Sequence, residues 1–364
     1  MKLLLSILLS LSLCFSQSIE INIPGERKPT DGGGSGGSIG LVIGALIGLG
    51  LSLLLTNLVF GKGTAEMGKS EQDRVPFLAG QFIVVYEGEV DLSLLGEVRE
   101  VVSIEDGPSF ALITSEMSMK EFSQKADTIP NILFWQPNYL YEIFEDPLRE
   151  RQPYLSTTGQ CSGKEFKVAI IDTGADLEHE DLRGAFLKVE NMLSSPYKPE
   201  EHGTAVASLI GARRNGVGME GVAYESQMVL LRACEEKRCY SFSVSKALSL
   251  LLKEEVKVIN MSFGIYGEDR LVELLLERLS KKGILMTAPV GNRPGPMPFP
   301  AKSPYVISVA GMPCHPKELC QKAEAKEPYE NLLVATVKGY GVRSGVSFAS
   351  ALHAGRLLCK ISSR

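Results

Sequence analysis

The stretch Lys167-Val-Ala-Ile-Ile-Asp-Thr-Gly174 is a short, β-branched-rich apolar run that stops on a carboxylate and a turn. Similar runs follow at Met228-Val-Leu-Leu231, Val256-Lys-Val-Ile259, Ile284-Leu-Met286 and Tyr305-Val-Ile-Ser-Val309. Between them lie stretches with helical spacing, at residues 243–254 and 270–282. Apolar strands alternating with helices predict an α/β unit over residues 147–364, a parallel sheet covered by helices on both faces. On such sheets, functional side chains gather at the carboxyl ends of the strands. Asp172 is therefore a candidate from the outset.

Upstream, residues 76–146 predict a separate small α+β unit. Gln81-Phe-Ile-Val-Val-Tyr86, Phe110-Ala-Leu-Ile-Thr114 and Ile132-Leu-Phe-Trp135 read as strands, and residues 117–126 as a helix with Met119, Phe122 and Ala126 on one face. Residues 1–16 have a basic start, an apolar middle and a small-x-small exit, the pattern of a secretory signal. Residues 17–38 form a linker whose end, Asp31-Gly-Gly-Gly-Ser-Gly-Gly-Ser38, is too glycine-rich to pack. Residues 39–60 carry no charge over 22 positions, enough to span a hydrocarbon core of about 30 Å. Gly40, Gly44 and Gly48 share one face of that segment, as close helix–helix contact in lipid favours. The expectation is a transmembrane helix and a membrane-associated protein. Lys and Arg flank the segment on both sides and do not fix its orientation.

The formal net charge of −5 gives no reason to expect a nucleic-acid partner. Outside the leader, the cysteines are Cys161, Cys234, Cys239, Cys314, Cys320 and Cys359. No Cys-x-x-Cys pair or finger-spaced histidine accompanies them, which argues against zinc. An even number with two close pairs fits disulfides in an oxidising compartment, and so a catalytic unit exported to the periplasm or cell exterior. Six unrelated core thiols are the alternative.

Three further motifs carry chemistry. His202 opens His202-Gly-Thr-Ala-Val-Ala-Ser-Leu-Ile-Gly211, which reads as a helix start, where the dipole disfavours the charged imidazole and keeps it available as a base. Ser347 lies in Gly345-Val-Ser-Phe-Ala-Ser-Ala-Leu-His-Ala-Gly355, where a helix N-terminus could face a developing oxyanion. Asn292 ends Ala288-Pro-Val-Gly-Asn292 and offers a side-chain amide donor. Each motif alone is common in structural roles. His353, six residues past Ser347, is a poorer base, and His179 and His315 read as surface groups.

In their order, Ile171-Asp-Thr-Gly174, His202-Gly-Thr-Ala-Val-Ala207, Asn260-Met-Ser-Phe-Gly264, Gly291-Asn292 and Gly345-Val-Ser-Phe-Ala349 resemble the subtilisin-like serine proteases. Gly216-Val-Gly-Met-Glu-Gly-Val-Ala223 and Phe299-Pro-Ala301 are similar to segments of the same family. The likeness runs from about residue 146 to the end. Trp135-Gln-Pro-Asn-Tyr-Leu-Tyr141 resembles the last strand of that family's inhibitory propeptide, which makes the unit at 76–146 a ferredoxin-like propeptide by resemblance.

The resemblance implies a serine endopeptidase acting through an acyl-enzyme on proteins or peptides. Ser347 would be the nucleophile, His202 the base and Asp172 its orienting carboxylate. Asn292 and the Ser347 N–H would hold the oxyanion. Ser262, Phe263, Gly264 and Gly291 would line the substrate strand. The propeptide would inhibit the cleft until self-cleavage somewhere between residues 142 and 160. No cofactor is required; a structural calcium ion stays open, with no ligand set to assign. The family usually carries Thr at Val346 and Pro at Ala351. Those departures keep alternatives open: a catalytically weak peptide binder, or a membrane scaffold.

Overall fold

The computed structural model describes residues 75–146, 156–314 and 316–363. The expected signal (1–16), linker (17–38) and apolar segment (39–60) lie outside them. Among the described residues no helix is long and apolar enough to cross a membrane.

The amino-terminal unit comprises β1 (Phe77–Tyr86), β2 (Glu97–Ser103), β3 (Ser109–Thr114), α1 (Met119–Ala126) and β4 (Ile132–Ile143). Its antiparallel strands lie in the order β2-β3-β1-β4. That order is the ferredoxin-like one, with the first helix reduced to a 3-10 turn at Leu92–Leu94. Ser118 starts α1 through a capping box with Glu121, satisfying donors on both sides of the helix start. Phe122 then stacks on Phe82 at 3.9 Å between ring centres, with Trp135 edge-on to both rings.

β4 runs eight residues beyond the apolar run Ile132–Trp135 and two beyond Tyr141, where the segment that resembles a propeptide's last strand ends. Pro137 pairs with Phe82 and borders the irregular stretch between the Phe77 and Phe82 pairings, a position at which a ladder tolerates a missing N–H. The extension continues onto the larger unit.

That unit is built from β5 (Lys167–Asp172), β6 (Phe186–Asn191), α2 (Glu201–Gly211), β7 (Gln227–Arg232), β8 (Cys234–Glu235), β9 (Arg238–Tyr240) and α3 (Ser241–Leu251), then β10 (Val258–Met261), β11 (Phe263–Gly264), α4 (Arg270–Lys281), β12 (Leu285–Pro289), β13 (Ile307–Met312), α5 (Lys317–Lys322), β14 (Ala325–Pro328), the hairpin β15 (Leu332–Thr336) and β16 (Gly339–Arg343), and α6 (Val346–Ser362). Seven strands pair in parallel in the order β14-β13-β12-β10-β5-β7-β6.

Alternation along the strands divides the core. Val168, Ile170, Met228 and Leu230 pack with Val206 and Leu209 of α2 and Phe348 and Leu352 of α6. Ala169, Ile171, Val229 and Leu231 pack instead with Val244 and Leu248 of α3 and Leu271, Leu275 and Leu279 of α4. Period-two side chains on a sheet covered twice give two apolar layers. Burying each leucine of α4 contributes roughly 1.5–3 kcal/mol, so Leu275→Asp is expected to undock that helix.

β5 is the switch point of the sheet: β6 and β7 lie to one side of it, and β10, β12, β13 and β14 to the other. Asp172 is its last residue, at the crevice where open α/β sheets place their sites. The cysteines pair as Cys161–Cys359, Cys234–Cys239 and Cys314–Cys320. The first joins residues 198 apart in sequence, a pairing that spacing alone left open.

Candidate active site

The Asp-Thr-Gly and His-Gly motifs explain each other in three dimensions. Thr173 Oγ1 accepts a hydrogen bond from Gly203 N at 2.9 Å, fastening the start of α2 to the turn after β5. A Cβ on Gly203 would lie 2.5 Å from Thr173 O, so only glycine permits this approach. His202, the second residue of α2, is thereby set against Asp172. Its Nδ1–H donates to Asp172 Oδ1 at 2.8 Å, with both side chains buried. Burial works against a charged imidazole, but the charge and hydrogen bond of Asp172, helped by Glu145 and opposed by Lys237, leave the His202 pKa above its ordinary value. Nε2, the other ring nitrogen, is buried and has no hydrogen-bond partner among the described residues.

Ser347 is the second residue of α6, following Gly345 at φ 149°. A backbone N–H in a first helical turn has no intrahelical acceptor and is free to face a ligand. Two strands anchor the position. Ser262 Oγ donates to Ser347 O at 2.9 Å and accepts from Asn260 Nδ2 at 2.9 Å. Asn260 Oδ1 in turn accepts from Thr287 and Ser350 hydroxyls. Ser347 Oγ donates to Ser262 O at 2.8 Å, so the hydroxyl and His202 Nε2 are not joined in this state. Rotation about the Ser347 Cα–Cβ bond is what would redirect the hydroxyl.

The groove is filled by the chain itself. β4 pairs antiparallel with β9 (Leu140 with Tyr240, Tyr141 with Cys239, Glu142 with Arg238) and with β11 (Glu142 with Gly264, Ile143 with Phe263). Phe144 O then accepts from Ser347 N at 3.3 Å, and Asp146 N donates to Ser344 O at 2.9 Å. Asn292 follows Gly291, whose φ of 90° turns the chain, and donates Nδ2 to Asp146 Oδ1 at 3.0 Å. Of the residues expected from sequence, Phe263 and Gly264 do pair with an extended segment. Ser262 instead holds the serine, and Gly291 acts through the turn it allows.

Sequence reading missed the second wall of the groove, β9, together with Ser344, Phe144 and Asp146. Their contacts are mostly main-chain, which residue types do not announce. The expectation that His179 is a surface group is corrected: it is buried, bonds Gly339 O through Nε2 at 2.8 Å and lies edge-on to Tyr340. The β15–β16 hairpin that covers it was not foreseen. His353 is also buried, bonding Glu327 Oε1 through Nδ1 at 3.0 Å. His315 lies outside the described residues. Val346 and Ala351, the two departures, are both buried among apolar neighbours. Among the described residues no group of three or more His, Cys, Asp or Glu is placed to hold a metal ion.

A groove that pairs with a chain along both edges and ends at a serine on a helix N-terminus is the layout of a serine-type endopeptidase. The model of the subtilase family, Peptidase_S8, matches residues 163–354, more than half of the chain, and the protein belongs to that family. The chain is 27% identical over 217 residues to minor extracellular protease Epr of Bacillus subtilis, a match covering 58% of this chain and 31% of Epr. It is 23% identical to subtilisin E of Bacillus subtilis over 285 residues, 72% of each protein. Fervidolysin from Fervidobacterium pennivorans, a keratinolytic enzyme related to subtilisin, shares the fold with a TM-score of 0.64 at 18% identity, over 82% of this chain and 58% of that one.

Proposed function

We propose that the protein hydrolyses peptide bonds through an acyl-enzyme on Ser347 and is made as a proenzyme whose residues 76–146 occupy its own cleft. The observation that carries this reading is the hydrogen bond from Ser347 N to Phe144 O, which puts a carbonyl of the chain against a donor an oxyanion needs. Ser347 Oγ adds to the substrate carbonyl as His202 Nε2 takes its proton, and His202 then protonates the departing amine. Asp172 fixes the tautomer with Nδ1 protonated and stabilises the imidazolium. Asn292 joins Ser347 N once released from Asp146.

The peptide-binding and scaffold alternatives are not favoured, because neither requires a buried Asp172–His202 pair beside this serine. Residues 1–16 and 39–60 would deliver the proenzyme to a membrane; a cleaved signal before one span would leave the catalytic unit in the cytoplasm, and it is the cysteines that favour export instead. Three disulfides support an oxidising compartment.

A fluorophosphonate probe tests the reading. The processed protein is expected to take one label on Ser347, whereas Ser347→Ala is neither labelled nor shortened. A folded wild-type protein that neither matures nor labels would return the peptide-binding alternative to first place.

A further inference from the structure

We infer that the chain cuts itself between Phe144 and Glu145, an inference that rests on the peptidase reading above. Recognition of the chain is continuous across this bond. On its amino side, Leu140 to Ile143 are held as a strand between β9 and β11, with Ile143 N also donating to Lys237 O at 3.2 Å. On its carboxyl side, Asp146 N bonds Ser344 O, and the chain passes so close to Gly345 that a Cβ there would meet Phe144 O at 2.6 Å, Glu145 Cα at 2.9 Å and Asp146 N at 3.3 Å. Between these anchors, Phe144 O is the carbonyl that accepts from Ser347 N.

The side chains agree with the main chain. The Phe144 ring is buried against Val309, Tyr329, Val346 and Ala349, and lies edge-on to Tyr266. A Cβ on Gly264 would come within 2.8 Å of Phe144 Cε2, so glycine in β11 makes room for the ring. Glu145 sits between Arg343 Nε at 3.4 Å and Lys237 Nζ at 4.0 Å. The residue before the bond is thus held by an apolar pocket and the residue after it by two cations.

In the cleavage, Ser347 Oγ bonds to the Phe144 carbonyl carbon and its proton passes to His202 Nε2. The Phe144–Glu145 C–N bond breaks, and the same proton moves to the Glu145 nitrogen. A water molecule then adds its oxygen to the acyl carbon and gives a proton to His202; the ester bond to Ser347 Oγ breaks, and Oγ takes that proton back. The products are a leader ending in the Phe144 carboxylate and a catalytic chain beginning at Glu145, with one water consumed.

The test is the mass and carboxyl-terminal sequence of the leader released by the full-length protein, since later trimming of the catalytic chain leaves that end untouched. A leader ending at Phe144, with Ser347→Ala remaining whole, is the expected result. Phe144→Leu should be cut at the same bond, and Phe144→Asp should slow the cut by roughly tenfold or more, because the pocket would have to bury a charge. A Ser347-dependent cut at another bond overturns this assignment and leaves the peptidase reading standing. An uncut chain whose serine still labels does the same. A cut that persists in Ser347→Ala overturns both.

Discussion

The two halves of β4 meet the catalytic unit in different ways. Upstream, Gln136 and Tyr141 reach one buried carboxylate with their side chains, in addition to the main-chain pairing of Leu140 and Tyr141 with β9. Asp269 accepts from Gln136 Nε2 at 2.8 Å, Tyr141 OH at 2.9 Å, Val272 N at 3.0 Å and Ser241 Oγ. Gln136 Oε1 accepts from Leu271 N at 3.2 Å and Asn138 Oδ1 from Phe242 N at 3.0 Å, so β4 supplies caps to the first turns of α3 and α4. Downstream, Glu142 to Asp146 are held largely by main-chain bonds. We read the difference as two tasks: side chains of the upstream half favour this particular segment, while the downstream half adds main-chain pairing, the Phe144 pocket and the Glu145 ion pairs around the proposed cut.

That division can be broken from either side. The largest effect is expected for Asn292→Ala, which should slow self-cleavage by roughly 10²–10³-fold. A rapid-quench time course at unchanged urea midpoint would place the loss in the groove; a lowered midpoint would mean that the two halves are not separable. Next, Asp269→Asn sets an amide N–H₂ among donors and should cost about 2 kcal/mol, a fall of roughly 4–8 °C in Tm. Measured in the Ser347→Ala background by calorimetry, it should leave the position of the cut in the active parent unmoved.

Tyr141→Phe is a milder version. Burial and the Asp269 charge hold the Tyr141 pKa well above its usual value, so the hydroxyl remains a donor throughout the working range. Removing one of several donors to the carboxylate should cost about 1 kcal/mol in urea unfolding. A loss of cleavage without any loss of stability would contradict the division.

The smallest effect concerns pH. Protonated His202 cannot accept the serine proton, so self-cleavage is lost as pH falls through the raised His202 pKa. Glu145 is one of the groups that raise it. Glu145→Gln therefore lowers that pKa, and the acid limb of the rate profile should move to lower pH. A limb that stays or rises would show that Glu145 does not act on His202.

Much of this arrangement could be read from the chain. β5, β7, β10, β12 and β13 are apolar runs because both their faces are covered, and Asp172, His202 and Ser347 stand beside short motifs whose glycines permit close approach. β2, β6 and β14 were not visible, because Glu97-Val-Arg-Glu-Val-Val-Ser103, Phe186-Leu-Lys-Val-Glu-Asn191 and Ala325-Lys-Glu-Pro328 are sheet-edge sequences with charges among few apolar residues. The Asp269 cluster was hidden for another reason: Gln136 and Tyr141 of β4, Ser241 of α3 and Asp269 before α4 come from three distant parts of the chain and acquire meaning only when β4 crosses the two helix starts. Phe144 was undetermined within the window 142–160, because the bond presented to Ser347 is set by register against β9 and β11.

The link between Cys161 and Cys359 bears on how the chain would withstand a nick. It ties residues near the two ends of the catalytic chain into a covalent ring. A single nick by a neighbouring copy in any loop within that ring would open it without releasing a fragment. Such a molecule would run as one band until its disulfide was reduced, and only then separate into two fragments.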